Sequence, residues 1–183
     1  MLINLNRNKI SSGDYLNVFI EGHLNYKLRL QGFFTWNYKL HILDTRDEIL
    51  WTAKRTSWLL PKYKIQGLGK SIYSFKAINY GKMHYQLESD NDIYEIFGHS
   101  GLKVSIFKND KQIARFSNES VSWFNGRNYT MECNANENLE ILSLIVWVWI
   151  DFKDSNDNDS TLTYDAGNFG PEAREFDSNW KSV

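Results

Sequence analysis

The chain has a single cysteine, Cys133, among 183 residues. No intrachain disulfide can form, which excludes the disulfide-stapled secreted folds and suits a reducing compartment. Proline is confined to Pro61 and Pro171, so little of the chain is barred from regular structure. The start, Met1-Leu2-Ile3-Asn4-Leu5-Asn6-Arg7, has no apolar core of a secretory signal. The sequons at Asn118, Asn128 and Asn158 then read as accidents of an Asn-rich chain, and a cytoplasmic location is expected. Acidic residues are absent between Glu48 and Glu88. The signatures of catalysis are missing too. There is no Gly-rich phosphate loop and no nucleophile elbow. No two of His23, His41, His84 and His99 stand four residues apart, as the paired His ligands of a helical zinc motif do. No cofactor, metal or catalytic residue is expected, and the chain reads as a binding protein rather than an enzyme.

Aromatic residues make up 15% of the chain and hydrophobic residues 42%, enough for one domain with a real core. The densest apolar segment is Leu139–Ile150, where Ser143 is the only polar residue after Glu140. A helix that is apolar all round must be buried on every side. Extended to Phe152 it would measure about 21 Å at 1.5 Å per residue, too short for a hydrocarbon core of about 30 Å. Asn134, with Glu137 three residues on, has the pattern of a capping box, which predicts a helix over 136–152.

Upstream, short β-branched and aromatic runs recur between Gly, Asn and Asp, as antiparallel strands do. Twelve are counted: 14–20, 24–30, 34–43, 48–55, 58–66, 71–78, 82–88, 92–98, 102–107, 111–117, 120–124 and 127–133. Asp44-Thr45-Arg46-Asp47, His99-Ser100-Gly101 and Lys108-Asn109-Asp110 supply turn chemistry, and Asn125-Gly126 a hairpin signal. An internal repeat runs through these strands. Asp47-Glu48-Ile49, Ser57-Trp58-Leu59 and Tyr63 return as Asp110-Lys111-Gln112-Ile113, Ser122-Trp123-Phe124 and Tyr129, at offsets of 63, 65 and 66. Two such units can curl into one closed barrel with no exposed sheet edge. Its lumen would be too wide for strand side chains alone, and the apolar helix would fill it. The expected fold is therefore mainly β: a closed antiparallel barrel of about twelve strands around one apolar C-terminal helix, spanning residues 1–153. Residues 154–183 are expected to form an acidic tail, mostly disordered or loosely docked, in which Leu162, Tyr164, Phe169, Phe176 and Trp180 leave room for docking.

From about Trp36 to Phe152 the chain resembles the LURP-one-related group of the tubby C-terminal-like superfamily, which also includes the phospholipid scramblases. The residues that carry this are Ile113-Ala114-Arg115-Phe116, Ser122-Trp123-Phe124, Arg127-Asn128-Tyr129-Thr130-Met131-Glu132 and the apolar run Glu140–Asp151. The Trp147/Trp149 pair departs from the smaller residues such a helix would carry. The resemblance implies a barrel threaded by a helix and association with lipid or a membrane surface. It implies no catalytic residue.

Charge is unevenly spread. Residues 1–150 carry 18 Lys/Arg against 14 Asp/Glu, and residues 151–183 carry 3 against 8. The acid-free stretch holds Lys54, Arg55, Lys62, Lys64, Lys70, Lys76 and Lys82, the candidate site for an anionic ligand such as a phospholipid headgroup. Lys62 and Lys64 share one strand face. The alternative is a solvated face balanced by acids from other strands. Nucleic acid is not expected, because Trp58, Tyr63, Tyr73 and Phe75 sit at core positions and the chain is not basic overall. Asp154, Asn156, Asn158 and Asp165 have partial calcium-loop spacing, but Asp159 stands where Gly is needed. Cys133 reads as a small buried residue. The expected function is recognition of anionic lipid at a membrane surface, without a transmembrane segment. The alternative is a protein-interaction scaffold using the barrel and the aromatic tail, Phe176 and Trp180.

Overall fold

The computed structural model describes residues 1–8, 15–31, 39–57, 62–67, 72–89, 91–100, 103–122, 126–157 and 172–183. Twelve antiparallel strands close into one barrel: β1 Leu2–Asn8, β2 Tyr15–Ile20, β3 His23–Gln31, β4 Lys39–Leu43, β5 Ile49–Arg55, β6 Lys62–Gly67, β7 Ile72–Asn79, β8 His84–Glu88, β9 Ile93–His99, β10 Lys103–Lys108, β11 Lys111–Ser122 and β12 Gly126–Cys133. Each strand pairs with its sequence neighbour, and β1 pairs with β12 to close the ring. Closure leaves no edge. The single helix among the described residues, α1 Leu139–Asp157, follows β12.

The turns follow local chemistry. Ile20 pairs with His23 across Glu21 (φ 51°) and Gly22 (φ 82°), and Lys108 with Lys111 across Asn109 (φ 49°) and Asp110 (φ 66°). Positive φ at both central residues defines the tight hairpin turn that matches strand twist. Before β5, the Asp44 carboxylate accepts from the N–H groups of Arg46 and Glu48 at 2.8 and 2.9 Å, and Asp47 takes φ 66°. The turn aspartates Asp47 and Asp110 therefore share one conformation ahead of β5 and β11. Tyr63 on β6 and Tyr129 on β12 are both buried, so both copies of the repeat form the hairpin that ends a set of six strands. Trp58, Trp123, Phe124 and Asn125 lie outside the described residues.

The strand count comes to twelve by a different division of the chain. β1 was not expected: Asn4, Asn6 and Asn8 alternate with Ile3, Leu5 and the charged Arg7, and Asn is depleted in strands. It is held because Ile3 and Leu5 reach the core. The expected run 111–117 and the described part of the run 120–124 form one strand, β11, with a bulge between Asn118 and Ser120.

Inside the barrel, α1 is sheathed as its composition demands. Ile141, Leu142, Ser143, Leu144, Ile145, Val146, Trp147, Val148, Trp149 and Ile150 are all buried. The wide indoles are taken up by a lumen lined with aromatics: Trp149 meets the rings of Tyr85 at 5.4 Å and Phe116 at 6.2 Å. Opposite Trp149 the wall is Gly98, where a Cβ would stand 2.7 Å from the indole Cη2. The helix mouth is pinned by Trp51, whose Nε1–H donates to Glu140 at 2.6 Å. That carboxylate sits in the first turn, where the helix dipole favours negative charge.

The helix boundaries differ from those expected. Asn138, not Asn134, is the N-cap: its side-chain oxygen accepts from the Ile141 N–H at 3.2 Å. The Asn134 side chain instead accepts from the Val183 N–H at 2.9 Å. Two parts of the expected tail, 154–183, are among the described residues. Residues 154–157 continue α1, and residues 172–183 lie against the outside of the barrel.

Candidate functional site

The site is built by alternation along three strands. In β5 and β6 the core takes Trp51, Ala53, Tyr63 and Ile65, so Thr52, Lys54, Lys62, Lys64 and Gln66 face outward. In β4 the core takes Leu40 and Ile42, which turns Lys39 and His41 outward. Register then sets the lysines side by side. Lys39 pairs with Lys54, and Lys54 with Lys64. Lys62 stands two residues from Lys64 on the same strand and pairs with Lys76. Lys39, Lys54, Lys62 and Lys64 are exposed, and among the described residues none of them makes an ion pair.

Directly opposed like charges destabilise a sheet. Two unit charges 4 Å apart repel by about 1 kcal/mol in bulk water. Along the row Lys39–Lys54–Lys64, the register continues to Ser74 and first meets an acid at Glu88 on β8. The repulsion is thus not cancelled within β4–β6, and an anion above the face would relieve it.

His41 reports the same field. Its ring nitrogens lie 2.9 Å from the Thr52 hydroxyl and 2.8 Å from the Gln31 side-chain oxygen. Burial, then Lys39, then Arg29 push its pKa below the ordinary imidazole value.

The other candidates are placed elsewhere. Arg55 has the inward parity of its partner Tyr63 and donates to the Ser57 carbonyl at 2.9 Å. Lys76 is bound to Glu88 at 2.8 Å. Lys82 lies in a single 3₁₀ turn, Tyr80–Lys82, after β7. Lys70 is outside the described residues. Three of the seven sequence candidates, Lys54, Lys62 and Lys64, share the face, together with Lys39, which sequence reasoning missed. Lys39 lies ahead of the acid-free window, and only strand register brings it in.

Remaining sequence leads do not assemble. His41 on β4 and His84 on β8 are four strands apart, and His84 lies 3.2 Å from Glu95. Cys133 is buried, which pushes its thiol pKa up and keeps it from nucleophilic form. Among the described residues no group of three His, Cys, Asp or Glu could hold a metal. Asn158 and Asp165 of the calcium-like spacing lie outside them. No helix among the described residues is long and apolar enough to cross a membrane. No family model, no curated protein and no solved structure matches the chain.

Proposed function

We propose that the protein is a non-enzymatic binding module that takes anionic phospholipid headgroups on the β4–β6 face and sits peripherally at a membrane surface. The carrying observation is the cross-strand cluster Lys39, Lys54, Lys62 and Lys64, exposed and unneutralised by its strand neighbours. We further propose membership of the LURP-one-related, tubby-like group. The barrel closed around an apolar helix is the arrangement that this resemblance implies, and it supports the lipid reading.

Magnitudes set the character of the binding. Each lysine near an anionic surface adds about 1 kcal/mol. Four give about 4 kcal/mol, equivalent to a dissociation constant near 1 mM. Binding by this face is therefore weak, salt-sensitive and dependent on highly charged headgroups. Vesicle sedimentation tests it, using phosphatidylserine and phosphoinositide vesicles at low and high salt. Wild type should bind at low salt and release as the Debye length shrinks from about 10 Å at 0.1 M to 3 Å at 1 M. The double change Lys62→Glu plus Lys64→Glu should abolish binding with the fold intact. Wild type that ignores both vesicles at low salt would overturn the reading.

Among the described residues, the C-terminal segment does not cover this face. The described part of it, residues 172–183, bonds to β9, β11 and β12. In a ring of twelve, β11 and β12 lie opposite β5 and β6.

A further inference from the structure

On β9 and β10 the core takes Tyr94, Ile96, Val104 and Ile106, so Phe97, His99, Ser105 and Phe107 point out of the barrel. An outward side chain on a barrel should be wet. These four are 5%, 2%, 1% and 8% exposed, because residues 172–178 lie over them. The Arg174 guanidinium stacks 3.9 Å above Phe107 and 5.5 Å from Phe97, and pairs with Asp110 at the β10–β11 turn. Phe176 packs edge-on to His99 at 5.1 Å, with the Lys103 ammonium 5.1 Å from its ring. Glu172 lies 2.7 Å from His99 Nδ1, and the Ser100 N–H donates to it at 3.3 Å. His99 Nε2 lies 2.7 Å from the Ser105 hydroxyl.

Ser105, His99 and Glu172 have the connectivity of a serine-hydrolase triad, but not its access. Ser105 is sealed when Glu172 is in place, and Glu172 leaves with the segment that seals it. The arrangement instead reads a ligand. Glu172, Arg174 and Phe176 each meet a matching group, on a stretch that bends at Ala173 and Arg174 and in which the Phe176 N–H bonds back to the Glu172 carboxylate. The seat is polar in part and leaves a pocket of about 330 Å³ beside it, lined by Lys103, Arg115, Ser117, Thr130, Phe176 and Ser178. Such a contact can exchange without unfolding the barrel.

We propose that the outer β9–β10 face is a docking site for a partner protein's bent segment of pattern Glu-x-Arg-x-Phe, and that residues 172–178 occupy it in cis as a displaceable stand-in. The partner's arginine would sit between Phe97 and Phe107, its aromatic residue on His99 and Lys103, and its carboxylate on His99 and the Ser100 N–H. The site stands independently of lipid binding on the opposite face. Being part of the same chain, residues 172–178 compete at an effective concentration well above that of a dilute free peptide, so a free peptide reaches the face only when that segment is released.

The test uses the full chain, wild type and the double variant Arg174→Ser plus Phe176→Ser, with a fluorescent peptide of residues 172–180. Amide hydrogen exchange of 172–183 should rise in the variant. The peptide should bind the variant at least about tenfold more tightly than wild type, and a peptide lacking the arginine and phenylalanine should bind neither. The proposal fails if the segment stays protected in the variant. It also fails if the released variant takes no peptide up to about 1 mM, or takes the altered peptide equally. A concentration-dependent dimer of wild type would assign the face to a second copy and overturn the partner.

Discussion

Replacing Gly98 by alanine should destabilise the barrel through the helix inside it. The added Cβ would stand 2.7 Å from Trp149 Cη2, 2.9 Å from Met83 Cβ and 3.1 Å from Met83 Cε. Carbon atoms settle at about 3.5–4.0 Å, so the indole and Met83 must each give way by nearly 1 Å. Trp149 has little room to do so between Tyr85 and Phe116. Overpacking of this kind costs about 1–3 kcal/mol. Removing a strand glycine returns about 0.5–1 kcal/mol through lost freedom of the unfolded chain, leaving a net loss of about 0–2.5 kcal/mol. Urea unfolding of four chains separates the terms: wild type, Gly98→Ala, Trp149→Phe and the double variant. Trp149→Phe opens space facing Gly98, so the double variant should lose less than the sum of the singles by more than about 0.5 kcal/mol. Additive losses, or a stabilised Gly98→Ala, would refute contact between this strand and the helix.

Other consequences follow from the same packing. Trp147→Ala or Ile145→Ala should each cost about 3–5 kcal/mol in urea unfolding, a large share of a domain stability of about 5–15 kcal/mol; a loss below about 1 kcal/mol would contradict a helix in the lumen. Ser143→Ala should be neutral or stabilising in the same assay, because the buried Ser143 hydroxyl has no hydrogen-bond partner among the described residues and such orphans cost about 1–3 kcal/mol. The docking of 172–183 should weaken in acid. Burial alone would raise Glu132 and Glu172, but hydrogen bonds from Ser182 and Arg115 to the first, and from His99 and the Ser100 N–H to the second, hold both below the usual carboxylate value. Groups with a depressed folded pKa give stability that is present above the unfolded pKa, about 4.3, and lost as pH falls through the folded value. Hydrogen exchange in 172–183 should therefore rise below about pH 4 before the barrel unfolds, and exchange unchanged down to global unfolding would contradict the contacts.

Much of this architecture was legible because it rests on composition over many residues. A ten-residue run with one polar member has no wet face, and that alone put α1 inside. What escaped rests on single pairings. β1 is held by Ile3 and Leu5 between asparagines that argue against a strand. Lys39 joins the basic face only through its register with Lys54. The C-terminal segment read as loosely docked at most, because it opens on the all-polar run 154–160 and is acidic, whereas Glu172 and Arg174 dock through partners far away in sequence. One signal for that was present: Tyr94-Glu95-Ile96-Phe97 and Val104-Ser105-Ile106-Phe107 carry apolar residues on both faces, as strands covered on both sides do.

The most direct measurement of the central claim is the NMR titration of the His41 ring with and without phosphoinositide vesicles at low salt. Burial, Lys39 and Arg29 now hold its pKa below the ordinary value. An anion seated on Lys39, Lys54 and Lys64 offsets that positive field, so the account predicts that the His41 pKa rises on binding and falls back when salt releases the vesicles. Vesicles that bind while His41 titrates unchanged would place the ligand elsewhere and contradict it.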